Sequence, residues 1–178
     1  MLLKKLIKNL NPETGALKIK GICFDSRKVK KGDLFVAING EKYNGNDYIA
    51  EAISRGAKVV IHSGKIKKNK KAKFISFNDT RNILARLSTR YYENKPKNII
   101  AVTGTNGKTS VSDFFYQIFK LQNIKSGFIG TLGYRKNKLL KRRNLTTLDP
   151  LTLNKDLHEM NRVKISNVII EASSHGLK

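Results

Sequence analysis

Apolar positions along this chain alternate between short continuous runs and longer stretches at helical spacing, with polar turns between them. Residues 19–24, 34–38, 58–62 and 73–77 read as strands. Between the second and third runs, Tyr48, Ile49, Ala52 and Ile53 share a helical face. Gly56 closes that pattern, as a residue suited to the left-handed end of a helix. Asp79 is placed to accept from the first amides of a helix over residues 80–92, with Ile83, Leu84, Leu87 and Tyr91 on one side. At the start, Leu2, Leu3, Leu6, Ile7 and Leu10 recur at helical spacing, and lysines interrupt any secretory apolar core. This predicts a short amphipathic helix packed on its own domain. Glu93-Asn94-Lys95-Pro96 stops the preceding helix, because the residue before a proline is pushed out of the helical region. It divides the chain into domains over residues 1–95 and 96–178.

The second half repeats the strand–helix rhythm. An apolar run through Val102 leads into glycines and then a helical pattern of Val111, Phe114, Phe115, Ile118, Phe119 and Leu121. Residues 126–129 form a second run, followed by a basic, hairpin-like segment over residues 135–144. Leu153, Leu157 and Met160 mark another helix, and residues 167–170 a final strand ending in Glu171. Strand alternating with helix predicts an α/β fold. The expected architecture is a small α/β domain followed by the first part of a phosphate-loop domain, here a fragment of three parallel strands with unpaired edges.

Composition narrows the classes. The 178 residues are 39% hydrophobic, with 3 prolines, as in a globular protein, and no apolar run is long enough for a membrane-spanning helix. The single cysteine, Cys23, forms no intramolecular disulfide and fits a reducing cytoplasm; its apolar run predicts a small buried side chain. A formal charge of +23 suggests a polyanionic partner such as nucleic acid. Its denser runs, residues 65–73 and 135–143, carry no interleaved aromatic residues on which bases could stack. The charge therefore reads as solvated lysine, with no specific nucleic-acid partner expected.

The candidate chemistry centres on Thr103-Gly104-Thr105-Asn106-Gly107-Lys108-Thr109-Ser110, between a strand and a helix. Gly104 and Gly107 allow the backbone amides to face phosphate oxygens. Lys108 is placed to reach terminal phosphates, Thr109 to offer a hydroxyl to Mg²⁺, and the helix to aim its positive end at the same anion. The usual phosphate-loop spacing needs glycine at position 102, where this chain has Val102. Glu171 ends a strand beside the phosphate-loop strand, where a carboxylate can hold Mg²⁺. His175 alone has too few partners for a metal site. Thr146 and Thr147, before Asp149-Pro150, either cap the next helix or bind an anion at its start; residue chemistry leaves both open.

Taken together, these segments resemble the Mur ligases and, within them, the MurE type. Asp25-Ser26-Arg27 with Gly32-Asp33-Leu34-Phe35-Val36-Ala37, Gly40 and the Gly45/Tyr48/Ala52/Gly56 pattern is similar to the UDP-binding domain shared by the MurE and MurF types. The short loop from Thr103 to Thr109 resembles the Mur phosphate loop and that of folylpolyglutamate synthases. Thr146-Thr147-Leu148-Asp149-Pro150 is similar to a Thr-Thr-Pro segment of the branch, with Leu148 in place of proline. Glu171-Ala172-Ser173-Ser174-His175-Gly176-Leu177 resembles its Glu-Val-Ser-Ser-His-Gly-Leu motif.

The resemblance implies roles residue by residue. Phe24 and Ser26, with Glu41, Lys42 and Tyr43, would lie near the uridine diphosphate. Gly104, Thr105, Asn106, Gly107, Lys108, Thr109 and Ser110 would bind ATP, with Lys108 the catalytic cation and Thr109 and Glu171 serving Mg²⁺. Leu145 (often Asn in the family), Thr146, Thr147 and Ser174 would contact the muramoyl-dipeptide. The implied reaction adds the third amino acid, meso-diaminopimelate or L-lysine, to UDP-N-acetylmuramoyl-L-alanyl-D-glutamate. The D-Glu carboxylate attacks the γ-phosphate, giving an acyl phosphate and ADP; the incoming amine then displaces phosphate. The resemblance further implies that a carbamylated lysine, the adenine contacts and the amino-acid domain lie beyond Lys178, so the chain alone is expected not to ligate. Two other readings stay open: a MurF-type or folylpolyglutamate-synthase-type ligase, and a non-catalytic basic phosphate-loop module.

Overall fold

The computed structural model describes residues 1–40, 43–67, 69–131, 133–136, 139–141 and 148–173. They divide into two compact units, Met1–Tyr91 and Tyr92–Lys178.

In the first unit the strands β1 (Ile22–Cys23), β2 (Leu34–Val36), β3 (Val59–His62) and β4 (Lys73–Ser76) form a parallel sheet in sequence order. The inner strands β2 and β3 are buried along their whole length, as parallel strands covered on both faces must be. The helices are α1 (Leu3–Leu6), α2 (Pro12–Gly15), α3 (Ile49–Ser54) and α4 (Thr80–Tyr91). Phe35, Ala37 and Val60 of the sheet region pack with Ile49, Ala52 and Ile53 of α3, and Cys23 lies buried in the same cluster. Gly56 takes φ +100° after α3, as its position foretold. Asp79 caps α4, its Oδ1 accepting from Asn82 N at 2.9 Å.

The first helix is shorter than its apolar spacing predicts. Leu3 N donates to Leu17 O and Ile19 N to Met1 O, both at 2.9 Å, so the N-terminus is held as a bridge against residues 17–19. The helix ends at Leu6, where Ile7 turns extended at φ −120°; Asn9 follows at φ +60°, and Asn11 caps a new turn at Pro12. Spacing alone cannot register these long-range bonds.

Gly45 is where the first unit has no room. A Cβ there would lie 2.5 Å from Ile38 N and 2.7 Å from Ala37 C, backbone atoms that cannot swing aside. Gly45→Ala is expected to destabilise the first unit by about 3 kcal/mol, read as a lower urea midpoint at unchanged slope. A midpoint equal to wild type would show that the loop relaxes freely.

The second unit holds β5 (Asn98–Val102), α5 (Lys108–Leu121), β6 (Ser126–Gly130), β7 (Gly133–Lys136), β8 (Leu139–Lys141), α6 (Pro150–Arg162) and β9 (Asn167–Glu171). The sheet order is β5-β9-β6-β7-β8. β9 runs parallel to both β5 and β6, while β7 and β8 add antiparallel. The sheet thus has five strands where the sequence suggested three. The basic hairpin covers the outer side of β6, while β5 pairs with β9 alone among the described residues.

Side-chain alternation sorts the two faces. Phe128 and Ile169 pack with Tyr116 of α5, the two aromatic rings meeting edge to face at 6.1 Å. Their sequence neighbours Ile129 and Val168 pack with Leu157 and Met160 of α6. Glu171 shares its parity with Ile169, so the alternation turns its carboxylate towards α5. Helix α5 is more apolar than this packing needs, for Phe114 is 65% and Leu121 82% exposed. Among the described residues no helix is long and apolar enough to cross a membrane.

Candidate functional site

Two groups of residues singled out by sequence are assembled locally, one in each unit. In the second unit the loop after β5 turns sharply into α5. Gly107 stands before the helix at φ +75° with open space around its Cβ position, so its requirement is conformational and not steric. Having no side chain, Gly107 leaves the first amides of α5 without a side-chain cap, open to an anion. Gly104 is likewise left-handed at φ +150°. Lys108 Nζ donates to Gly104 O at 2.7 Å and Thr105 O at 3.1 Å, which curls its ammonium over the loop. Thr105, Asn106 and Ser110 are exposed around it.

Across from the loop stands Glu171, 2% exposed at the end of β9 and level with Val102 in the parallel register. Thr109 Oγ1 donates to Glu171 Oε1 at 2.6 Å, and Thr131 N donates to Oε2 at 2.8 Å. Burial opposes its ionisation. Hydrogen bonds from the Thr109 hydroxyl and from the Thr131 amide and hydroxyl, with the charge of Lys108, outweigh that and hold the carboxyl below its ordinary value. The geometry therefore brings together Gly104, Gly107, Lys108, Thr109 and Glu171, residues from opposite ends of the second half of the chain.

A hydroxyl and an ionised carboxylate in contact are oxygen donors of the kind Mg²⁺ takes beside phosphates and water. The donor set fits that ion beside phosphate oxygens; among the described residues no group of three or more His, Cys, Asp or Glu could hold a metal. Two members of the site escaped the sequence reading. Thr131 fixes the carboxylate through its backbone amide, and Gly130 leaves the room, since a Cβ there would lie 2.7 Å from Glu171 Oε2. A glycine ending a buried strand was the only available signal.

Asp149 settles part of the open question at the start of α6. Its Oδ1 accepts from Thr152 N at 2.8 Å and its Oδ2 from Thr152 Oγ1 at 2.7 Å, with Pro150 in the first turn. The capping role thus falls to Asp149. Leu145, Thr146, Thr147 and Ser174, together with His175, lie outside the described residues, as do Glu41 and Lys42.

In the first unit Phe24 is half-buried and Ser26 is 5% exposed. Asp25 caps the turn that follows: its Oδ1 accepts from Arg27 N at 3.1 Å and Nε at 2.9 Å. The Arg27 guanidinium holds the Asp25 carboxyl down to about 2. Ser26 Oγ donates to Glu51 Oε2 at 2.5 Å, and Glu51 Oε1 accepts from Arg55 Nε at 3.1 Å. Tyr43 is 69% exposed, and its carbonyl accepts from Gly40 N at 2.9 Å. Asn39 steadies this segment by accepting from Gly45 N at 3.1 Å and donating to Ser63 Oγ at 2.9 Å.

Comparison with known proteins follows the same division. Residues 18–92 match the catalytic domain of the Mur ligase family, and residues 102–178 the Mur ligase middle domain. UDP-N-acetylmuramoyl-L-alanyl-D-glutamate--2,6-diaminopimelate ligase of Rhizobium meliloti (strain 1021) is 39% identical over 97% of this chain. The protein of the same name from Rickettsia prowazekii (strain Madrid E) is 39% identical over 96%. The chain covers 36% of each, so it spans about a third of the length of the curated relatives it matches. Among solved structures, a UDP-N-acetylmuramoyl-L-alanyl-D-glutamate--2,6-diaminopimelate ligase superposes with a TM-score of 0.83 and 28% identity, covering 99% of this chain and 37% of that one. MurF ligase from Thermotoga maritima, solved in complex with ADP, shares the fold at a TM-score of 0.57 and 23% identity, over 87% of this chain and 32% of its own.

Proposed function

Because this chain belongs to the Mur ligase family, we propose that it forms the substrate- and ATP-binding portion of a MurE-type amide ligase. The ligase adds the third amino acid, meso-diaminopimelate or L-lysine, to UDP-N-acetylmuramoyl-L-alanyl-D-glutamate. In this reading the domain over residues 1–95 receives the UDP end of the substrate and the domain over residues 96–178 receives ATP. The work belongs to cytoplasmic cell-wall synthesis, and through it to cell shape and division.

The observation that supports this most directly is the bond from Thr109 to buried Glu171, which joins the phosphate loop to the end of the neighbouring strand. The physical demand of the reaction is to let one anion, the D-Glu carboxylate, approach another, the γ-phosphate. The uncapped amides of α5 and the Lys108 ammonium lower that repulsion and draw charge towards the departing ADP. Lys108 lets go of its two loop carbonyls and takes up phosphate oxygens. Thr109 and Glu171 would hold Mg²⁺, which when bound neutralises phosphate charge.

Limited proteolysis of the chain distinguishes this reading from a basic binding module. UDP-N-acetylmuramoyl-L-alanyl-D-glutamate is expected to slow cleavage within residues 1–91, and ATP with Mg²⁺ to slow it within residues 92–178. RNA at physiological salt is expected to protect neither. Protection by RNA that falls steeply with salt, without any response to the UDP-substrate, would overturn the assignment.

A further inference from the structure

In the turn after β1 lies a buried hydroxyl, that of Ser26, whose bonding polarity is already decided. Glu51 carries two acceptor oxygens: Oε1 takes a bond from Arg55 Nε at 3.1 Å and Oε2 takes one from Ser26 Oγ at 2.5 Å. The Ser26 hydrogen bond, helped by Arg55, holds the Glu51 carboxyl below its ordinary value, against some desolvation. An ionised carboxylate can only accept, so the single proton of Ser26 is spent on Glu51. Towards anything else, Ser26 Oγ offers lone pairs alone. A phosphate oxygen, itself an acceptor, finds no proton there. An imide N–H or a sugar hydroxyl does find a partner, and a strengthened one, because the charge of Glu51 polarises the Ser26 O–H bond.

We propose that Glu51 is a positioning residue that fixes Ser26 as a hydrogen-bond acceptor for the nucleoside part of a uridine nucleotide, its imide N–H or a ribose hydroxyl, and not for the diphosphate. This rests on the reading of the first unit as the UDP-substrate domain. It deepens that reading by stating which end of the ligand meets Ser26. Glu51 touches no ligand itself; it acts through the serine hydroxyl. The role is invisible in the sequence, where Glu51 is one more polar residue on a helix and lies 25 positions from its partner.

The test is calorimetric titration of the full chain with uridine and with UDP. Glu51→Gln offers Ser26 an amide that can donate, so the serine proton is released from its fixed direction. This variant is expected to bind uridine and UDP about tenfold more weakly, by the same factor for both. Ser26→Ala should lose as much, and the double variant no more than either single one. A loss seen with UDP but not with uridine would place the diphosphate at Ser26 and overturn the proposal. So would unchanged affinity in a variant that has lost only thermal stability, for the bond would then merely tie the turn to α3. Should Glu51→Gln not fold, wild type is titrated with N3-methyluridine, 2′-deoxyuridine and 3′-deoxyuridine. Weakening by one of them identifies the donor, and equal binding of all three refutes the idea. Wild-type protein that binds neither uridine nor UDP overturns the domain assignment and this inference with it; wild-type binding that Glu51→Gln leaves intact overturns this inference alone.

Discussion

Lys108→Ala is expected to weaken ATP binding to the chain by about 100-fold while changing its stability by no more than roughly 0.5 kcal/mol. The asymmetry follows from where the ammonium is spent. Here Nζ donates to Gly104 O at 2.7 Å and Thr105 O at 3.1 Å, carbonyls on an exposed loop that water can satisfy instead. With ATP bound, the same charge meets phosphate oxygens, where each charge-assisted bond contributes about 1.5–3 kcal/mol and no water replaces it. Lys108→Arg keeps the charge but not the compact point geometry, and should recover only part of the affinity. Titration with a fluorescent ATP analogue, set beside urea unfolding, gives both numbers. Equal losses of binding and stability would mean that Lys108 holds the loop together rather than the nucleotide.

Glu171→Gln is the second large effect. The carboxylate accepts from Thr109 Oγ1 at Oε1 and from Thr131 N at Oε2, with the Thr131 hydroxyl as a further donor. A glutamine has one acceptor only, so its oxygen must stay with the Thr131 amide and its NH₂ must face Thr109. The threonine hydroxyl can rotate to accept, so the fold survives at a cost of about 1–2 kcal/mol. The negative charge is lost, however, and one of the two Thr109 lone pairs is taken by the glutamine NH₂. The Mg²⁺-dependent part of ATP affinity should therefore fall by at least about 100-fold, while binding measured with a chelator present stays near wild type. Acid provides a second reading. A carboxyl held below its ordinary value stabilises the fold above the unfolded-state pKa, near 4.3, and that contribution disappears as pH falls through the folded value. The wild-type chain should lose stability on acidification more steeply than Glu171→Gln. Parallel pH profiles would show that the Glu171 carboxyl titrates alike in the folded and unfolded chain, and so is not held below its ordinary value.

Much of this was legible in the residues because it is local chemistry. Strand–loop–helix at Gly104–Thr109 needs only an apolar run, two glycines and a helical period, all within a few positions of one another. The cap at Asp79 and the helix end at Gly56 are equally short-range. The pattern failed where distant segments compete. The segment before α1 is bonded to residues 17–19 and the helix stops at Leu6, where Ile7 turns extended, while the hairpin of β7 and β8 joined a sheet that spacing had left at three strands. On α5 the apolar spacing picked out Val111, Phe114, Phe115, Ile118 and Leu121, which are exposed, and passed over Tyr116, which is buried on the sheet.

The sequence by itself determined the element order, the α/β class, the phosphate loop and the likeness to the Mur ligases, because each is written in residues close along the chain. The sequence placed the Glu171 strand beside the phosphate-loop strand; only the tertiary structure decided that β6 takes its other edge, that Thr109 bonds Glu171 directly across 62 positions, and that Glu51 commits the proton of Ser26. The physical reason is the same in each case. Hydrogen bonds and side-chain parity depend on which backbones end up adjacent, and no local period records that.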